Sequence, residues 1–378
     1  MHRVDSSIPI YPMHENHTDL SRRSFCRKSL TLCSSALLLP AMGNAQNRPR
    51  INIPLGFDNF SIRALGWKAP GLLEYAGKQK VDTVLFSDLD VYESHDIGYL
   101  REIKQEAKSL GITIQAGTGG ICPTSHKFSD KHGSAEEHLK LLIRVAKGVG
   151  SKVARCYLGS MKDRLGKDGI QKHVDSTVAI FKKVKKHALD ADVKLAIENH
   201  AGDLHSRELV RLIERAGTDY VGATIDSGNA TWTLEDPVDT LRNLAPYAVS
   251  SGIRDSMVWK SEKGVKVQWT AMGEGCVDLK AFTSEWKKLC PTLPMQLETI
   301  SGFAKEFPYL QKDFWAPYQG ITARDFSRFL VLGKNGKVMK PFSPEKGKDR
   351  KEAQKEYQLS ELERSLKFCR EELGFGLS

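Results

Sequence analysis

Past residue 50 the chain alternates between two textures. Short stretches that are almost continuously apolar and rich in β-branched residues occupy 53–57, 83–86, 112–116, 153–157, 195–198, 222–225, 248–253 and 295–298. Runs this short, apolar on both alternating faces, are what parallel strands buried on two sides require. Between them, apolar residues return at helical spacing over 96–110, 134–149, 170–189, 206–216, 236–244 and 279–289. The second of these opens on Ser134 with Glu137 three residues on, the reciprocal cap of a helix N-terminus. Strand and helix in alternation predict a parallel α/β architecture, and eight such stretches favour a (β/α)8 TIM barrel over an open sheet. A doubly wound sheet is the alternative. It would carry a glycine-rich turn after the first strand, where this chain reads Gly56-Phe57-Asp58-Asn59.

The two ends depart from this pattern. Residues 21–28 read Ser-Arg-Arg-Ser-Phe-Cys-Arg-Lys, followed by an apolar stretch over 30–42 and small residues ending at Ala45. Basic, then apolar, then small is the order of a secretory signal, and the apolar stretch is shorter than the roughly 20 residues that span a bilayer. Arg22-Arg23 with Phe25 two residues on resembles a twin-arginine signal, a receptor-read address for exporting folded proteins. That resemblance implies the twin-arginine export machinery as a partner and a periplasmic or extracellular location. We expect residues 1–45 to be this signal peptide, 46–340 to form the barrel and 341–378 to form a charged helical extension. Within the extension, Tyr357, Leu359, Leu362, Leu366 and Phe368 return at helical spacing after a charged run. Packing on the barrel is the simpler account of that face, and a partner-binding tail is the alternative.

Composition narrows the picture little. With 378 residues, 40% of them hydrophobic, the chain buries a core without disulfide or metal staples. No apolar run is long enough for stable membrane insertion. The formal charge is +10; the leader carries five basic and three acidic residues, which leaves +8 for the remainder. These charges are spread rather than clustered, so we expect no nucleic-acid partner, and the positive field favours anionic small molecules such as sugar acids. Outside the leader Cys122, Cys156, Cys276, Cys290 and Cys369 form no CxxC, and an odd number cannot all pair; buried free thiols are expected.

In a barrel the chemistry gathers where strands end at the C-terminal face. The fifth stretch ends Glu198-Asn199-His200, with Glu198 and His200 on one face by alternation. The sixth ends Asp226-Ser227-Gly228-Asn229, the seventh Arg254-Asp255, and the eighth Glu298-Thr299. Glu198, Asp226 and Glu298 thus converge on the barrel mouth. Buried carboxylates repel one another unless they share a cation or a proton. A divalent ion suited to oxygen ligands would answer that need; helix capping or pairing with Arg254 is the alternative.

The segments Ile197-Glu198-Asn199-His200, Asp226-Ser227-Gly228-Asn229, Gly273-Glu274-Gly275 and Leu297-Glu298-Thr299, in this order and at these strand ends, resemble the sugar phosphate isomerase/epimerase family of xylose isomerase-like barrels, over residues 51–333. The resemblance implies a divalent metal (Mn, Mg, Co or Zn) held by Glu198, Asp226, Glu298 and a histidine on the seventh strand. It also implies enediolate proton transfer on a keto-sugar, with Glu198 and Glu298 as the catalytic pair. One position departs from the pattern: the histidine would stand three residues before Asp255, where this chain has Gly252. The fourth ligand must then be His200 or water, or the metal is lost. His200, Asn229, Arg254 and Gln268 are expected to hold substrate hydroxyls. Trp232, Trp259 and Trp269, in the loops after strands six and seven, offer ring faces for a sugar. Val267-Gln268-Trp269 stands where endonuclease IV has Asp-Arg-His, which argues against abasic-site cleavage. The expected function is a metal-dependent isomerase or epimerase of a small-molecule carbohydrate, and export favours a free over a phosphorylated sugar. A keto-glycoside lyase on the same fold and a non-catalytic periplasmic carbohydrate-binding protein are the alternatives; assembly as a homo-oligomer is left open.

Overall fold

Every apolar stretch becomes a strand. In the computed structural model, which describes residues 51–377, these are β1 (Leu55–Asp58), β2 (Thr83–Phe86), β3 (Thr113–Gly120), β4 (Val153–Tyr157), β5 (Lys194–Glu198), β6 (Val221–Asp226) and β7 (Ala248–Gly252). A hairpin of β8 (Asp255–Ser261) and β9 (Gly264–Thr270) follows, then β10 (Met295–Leu297) and β11 (Ala304–Phe307). The expected leader, residues 1–45, lies outside the described residues. Eight strands form one sheet in the order β10-β1-β2-β3-β4-β5-β6-β7, all pairs parallel. The remaining seam, between β7 and β10, is closed by Ile253. Its N–H donates to the Gln296 carbonyl at 2.6 Å and its carbonyl accepts from the Glu298 N–H at 3.0 Å. Beside it the Ser251 hydroxyl takes the place of a backbone partner, accepting from the Gln296 N–H at 3.0 Å and donating to the Pro294 carbonyl at 2.8 Å.

The helices Ile97–Ser109, Ala135–Val149, Gly169–Ala191, Ser206–Ala216, Pro237–Leu244 and Leu279–Leu289 occupy the expected stretches. The Ser134–Glu137 capping box forms in both directions. The helix Ala69–Lys78 was not expected, because two glycines and a proline within ten residues thin its apolar periodicity. The hairpin is the main correction. Residues 255–270, read as loop, form two antiparallel strands that β11 extends into a separate three-stranded sheet.

The C-terminal helix Arg350–Phe368 lies on the barrel, and Leu362, Leu366, Cys369 and Phe375 join the main core. Gln358 accepts from the Ala64 N–H at 2.8 Å, and the Ile51 N–H reaches the Gly374 carbonyl at 2.7 Å. Cys122, Cys156, Cys276, Cys290 and Cys369 are free thiols. Among the described residues no helix is long and apolar enough to cross a membrane.

Candidate active site

Register decides which polar residues share the barrel mouth. Residues paired across parallel strands point to the same side. Asp226 is paired with Gly252, Tyr157 with Glu198 and Phe57 with Leu297, which sets Asp58 beside Glu298. Asp58, Glu198, Asp226 and Glu298 are all buried. One oxygen from each of Glu198, Asp226 and Glu298 lies within 4.8 Å of the others. The three expected carboxylates are therefore brought together, and Asp58 joins them.

Two arginines stand among these acids. Arg155 donates through Nε to Glu198 Oε2 at 2.6 Å and through Nη1 to the Thr118 carbonyl at 3.1 Å. Arg254 bonds through Nη2 to both Asp226 Oδ2 and Glu298 Oε2. Asn229 links the acids by donating to Asp226 Oδ2 at 2.7 Å and Glu198 Oε1 at 3.1 Å. Asp58 Oδ1 accepts from the Phe60 N–H at 2.7 Å and the Ser87 hydroxyl at 2.5 Å, while its Oδ2 has no partner among the described residues. Four carboxylates face two guanidinium groups, so full ionisation would leave the ring with excess negative charge. Burial, reinforced by Glu298, pushes Asp58 up to about 7. Burial also pushes Glu198 up to about 7 against the pull of Arg155, and holds Asp226 well above the usual carboxylate range. Burial disfavours both guanidinium charges too, but the acids together, Glu198 foremost at Arg155 and Asp226 foremost at Arg254, outweigh it and keep them ionised.

The run Asp226-Ser227-Gly228-Asn229 is the cradle for Arg254. Ser227 Oγ donates to the Arg254 carbonyl at 2.6 Å and accepts from its N–H at 3.0 Å, fixing the backbone. Gly228 leaves room for the stem, since a Cβ there would lie 2.2 Å from Arg254 Cγ and 2.4 Å from Cδ. Trp269 closes the other side with its ring centre 4.4 Å from the guanidinium carbon, and its Nε1 donates to the Gly228 carbonyl at 2.8 Å. Nε and Nη1 of Arg254 have no partner among the described residues.

The other expected binding residues are dispersed. His200 is half-buried, outside the carboxylate cluster. Its Nδ1 donates to the Gly159 carbonyl at 2.6 Å and its ring stacks on Tyr157 at 3.6 Å. Burial and Arg155 lower its pKa well below the usual value, so Nε2 is left as an acceptor. Gln268 is buried on β9 with Oε1 unpartnered among the described residues. Trp269 and Trp259 sit on hairpin strands and Trp232 on the short helix Ser227–Trp232. Trp269 lies against Arg254 and is stacked on Trp232 at 4.2 Å, so neither of its faces is open to a sugar. Trp259 belongs to a different cavity wall, beside Gly336 and Val338. Asp255 is an anchor: it accepts from the N–H groups of Ser256, Gly273, Gly275 and Val277 at 2.7 to 3.4 Å, which gives the Gly273-Glu274-Gly275 turn its place.

Whether these residues suit a divalent ion can be tested at Gly252. A Cβ at that position would lie 3.1 Å from Glu298 Oε2 and 3.7 Å from Asp226 Oδ2, so a histidine there would face those two oxygens. Arg254 Nη2 is bonded to the same two oxygens. An ion bridging them would stand against a cationic nitrogen that has no lone pair to offer. The acidic triad is present, but in this arrangement its positive partner is a side chain, and the residues do not fit a metal.

Asp58 and Arg155 escaped the sequence reading. Asp58 closes an apolar strand as the other acids do, in a segment whose sequence bears on the absence of a glycine-rich turn and so draws no notice as an acid. Arg155 is a charge in the middle of a buried strand, which by itself signals a buried partner.

A family model described as the xylose isomerase-like TIM barrel matches residues 71–302. The uncharacterized protein YihM of Escherichia coli K12 is 26% identical over 146 residues, 37% of this chain and 44% of that protein, so the chain spans under half of this relative. A 3-oxo-isoapionate decarboxylase of Pectobacterium atrosepticum is 20% identical over 213 residues, 56% of this chain and 70% of that one. The solved structure of a D-psicose 3-epimerase in the presence of D-fructose has the same fold, with a TM-score of 0.55 at 15% identity over 85% of this chain and 99% of that one.

Proposed function

The chain belongs to the xylose isomerase-like TIM barrel family, and from that premise we propose that it moves a proton at the carbon beside the carbonyl of a keto-sugar, as an isomerase or epimerase. The observation that supports this most is Glu198 and Glu298, buried within one ring of charge at the C-terminal face, each beside a different arginine. One glutamate takes the proton on the carbon next to the carbonyl, and the electron pair moves onto the carbonyl oxygen to give an enediolate. The other returns a proton to the neighbouring carbon or the opposite face. A carboxylate raised to about 7, as Glu198 is, suits a general base at neutral pH. His200 Nε2 and Gln268 Oε1 are acceptors for sugar hydroxyls, and the solved sugar epimerase supports the substrate class.

A decarboxylase or lyase is the second reading, favoured by the 3-oxo-isoapionate decarboxylase relative. Loss of carbon dioxide from a β-keto acid, or β-elimination from a keto-glycoside, passes through the same kind of carbanion. We also propose export by the twin-arginine route, on Arg22-Arg23 and the apolar stretch behind it. Retention of an Arg22→Lys/Arg23→Lys variant in the cytoplasmic fraction is its test.

The proton transfer is tested by incubating the protein with free keto-sugars and 3-keto-glycosides in heavy water and following exchange by NMR. Deuterium should enter next to the carbonyl, and Glu198→Gln or Glu298→Gln should slow it about 100-fold or more while the fold is kept. Tight binding of a sugar without exchange, elimination or decarboxylation would instead mark a carbohydrate-binding protein.

A further inference from the structure

We infer that Arg254 is the resident cation of this site, standing where related barrels would hold a metal, and that its free N–H groups receive the charge that develops on the carbonyl oxygen. The inference rests on the proton-transfer reading and names the group that makes it feasible.

The geometry is that of a built cation site. Nη2 bridges Asp226 Oδ2 and Glu298 Oε2, the two oxygens that a side chain at residue 252 would address. Position 252 is glycine, which leaves that space to the guanidinium. Gly228 has no Cβ to strike the stem, Ser227 pins the backbone on both sides, and Trp269 covers the guanidinium face. Arg254 is 2% exposed, yet Nε and Nη1 find no partner among the described residues. Buried donors are rarely left unmatched, because each costs a desolvation penalty that a hydrogen bond would offset. Nη1 carries two N–H groups, which match one oxyanion or a carbonyl oxygen and its neighbouring hydroxyl, while the Nε N–H points along the other edge, beside Nη2. As the C–H bond breaks and its electron pair shifts to the carbonyl oxygen, the Nη1 donors bind the new alkoxide more strongly than the ground-state carbonyl. The proton goes to a glutamate, so no other reactant is needed.

Two measurements separate this inference from the reading it rests on. The first needs no substrate: the full chain is incubated with excess Mn, Co or Zn, freed of unbound ions and its metal content measured. The wild type should retain far less than one ion per chain. A Gly252→His/Arg254→Ala variant, which restores a ligand and removes the cation, should take up one. An ion held stoichiometrically by the wild type and lost in Glu298→Gln would overturn the inference, whether or not the double variant folds. The second uses whichever keto-sugar exchanges deuterium. Exchange should survive EDTA, fall about 100- to 1,000-fold in Arg254→Ala, and recover when guanidinium ion is added, which a merely structural role would not produce. Exchange abolished by EDTA and restored by Mn would sink the arginine's role and leave the proton transfer standing.

Discussion

A single methyl group tests how tightly the site is built around Arg254. In Gly228→Ala the new Cβ would sit 2.2 Å from Arg254 Cγ and 2.4 Å from Cδ, more than an ångström inside ordinary contact. The backbone cannot yield, because Ser227 holds the Arg254 N–H and carbonyl. Relief must come from the stem, and moving the stem lifts Nη2 from Asp226 and Glu298. Separating a buried ion pair costs about 3–5 kcal/mol, and crowding alone costs about 1–3 kcal/mol. A loss of roughly 3–5 kcal/mol is therefore expected, read as a lower urea midpoint at unchanged slope. The three atoms nearest that Cβ all belong to Arg254. In an Arg254→Ala background the same methyl should be neutral, or stabilise the helix by up to about 1 kcal/mol, because alanine is the better helix former. The four proteins form a double-mutant cycle with a coupling of several kcal/mol expected. If Gly228→Ala costs the same with and without Arg254, the stem is not what the glycine accommodates and the reasoning fails.

Three further outcomes follow from the same geometry. Burial raises Asp58 from 3.8 to about 7, so between those values the folded chain keeps a proton that the unfolded chain releases. Its contribution is full below about pH 4 and is lost as pH rises through 7, up to roughly 4 kcal/mol. Asp58→Asn should flatten the fall of stability between pH 4.5 and 7.5 relative to wild type, and a steeper fall would reverse the sign assigned here. Asp255→Ala removes the acceptor of four backbone N–H groups. It should cost about 1–3 kcal/mol or more and speed amide exchange at Gly273, Gly275 and Val277; unchanged exchange would show that the turn stands without it. A chain ending at residue 349 loses the buried Leu362, Leu366, Cys369 and Phe375. At about 1.5–3 kcal/mol for a large apolar side chain against a net stability of about 5–15 kcal/mol, it should show no cooperative thermal transition.

The sequence was most informative where burial is on both faces. All eight barrel strands are legible because a strand covered by helices outside and packed inside tolerates little but apolar residues. The acids at their ends stand out for the same reason, and Glu198, Asp226 and Glu298 meet as the alternation requires. What sequence does not disclose is direction. Pairing of the acids with Arg254 stood as the alternative to a shared ion, and only the bonds of Nη2, the missing Cβ of Gly228 and the ring of Trp269 decide for it. The hairpin was obscured by its own side chains: Lys260, Ser261, Glu262, Lys263 and Gly264 interrupt the alternation at its tip. His200 shares a face with Glu198 in an ideal strand, yet the strand ends at Glu198 and the ring bonds to the Gly159 carbonyl instead.

The barrel wall is joined strand to strand by parallel ladders everywhere except between β7 and β10, where Ile253 makes the backbone bridge. A cylinder stitched in this way has a slit, and its two lips carry consecutive residues of opposite charge. Arg254 follows Ile253 on one lip, and Glu298 follows Leu297 on the other. Their ion pair is a clasp across the slit, a side-chain tie laid over the backbone bridge. A molecule that competes for Glu298 takes away one of the ties across the slit and leaves the Ile253 bridge and the Ser251 hydroxyl to hold the wall.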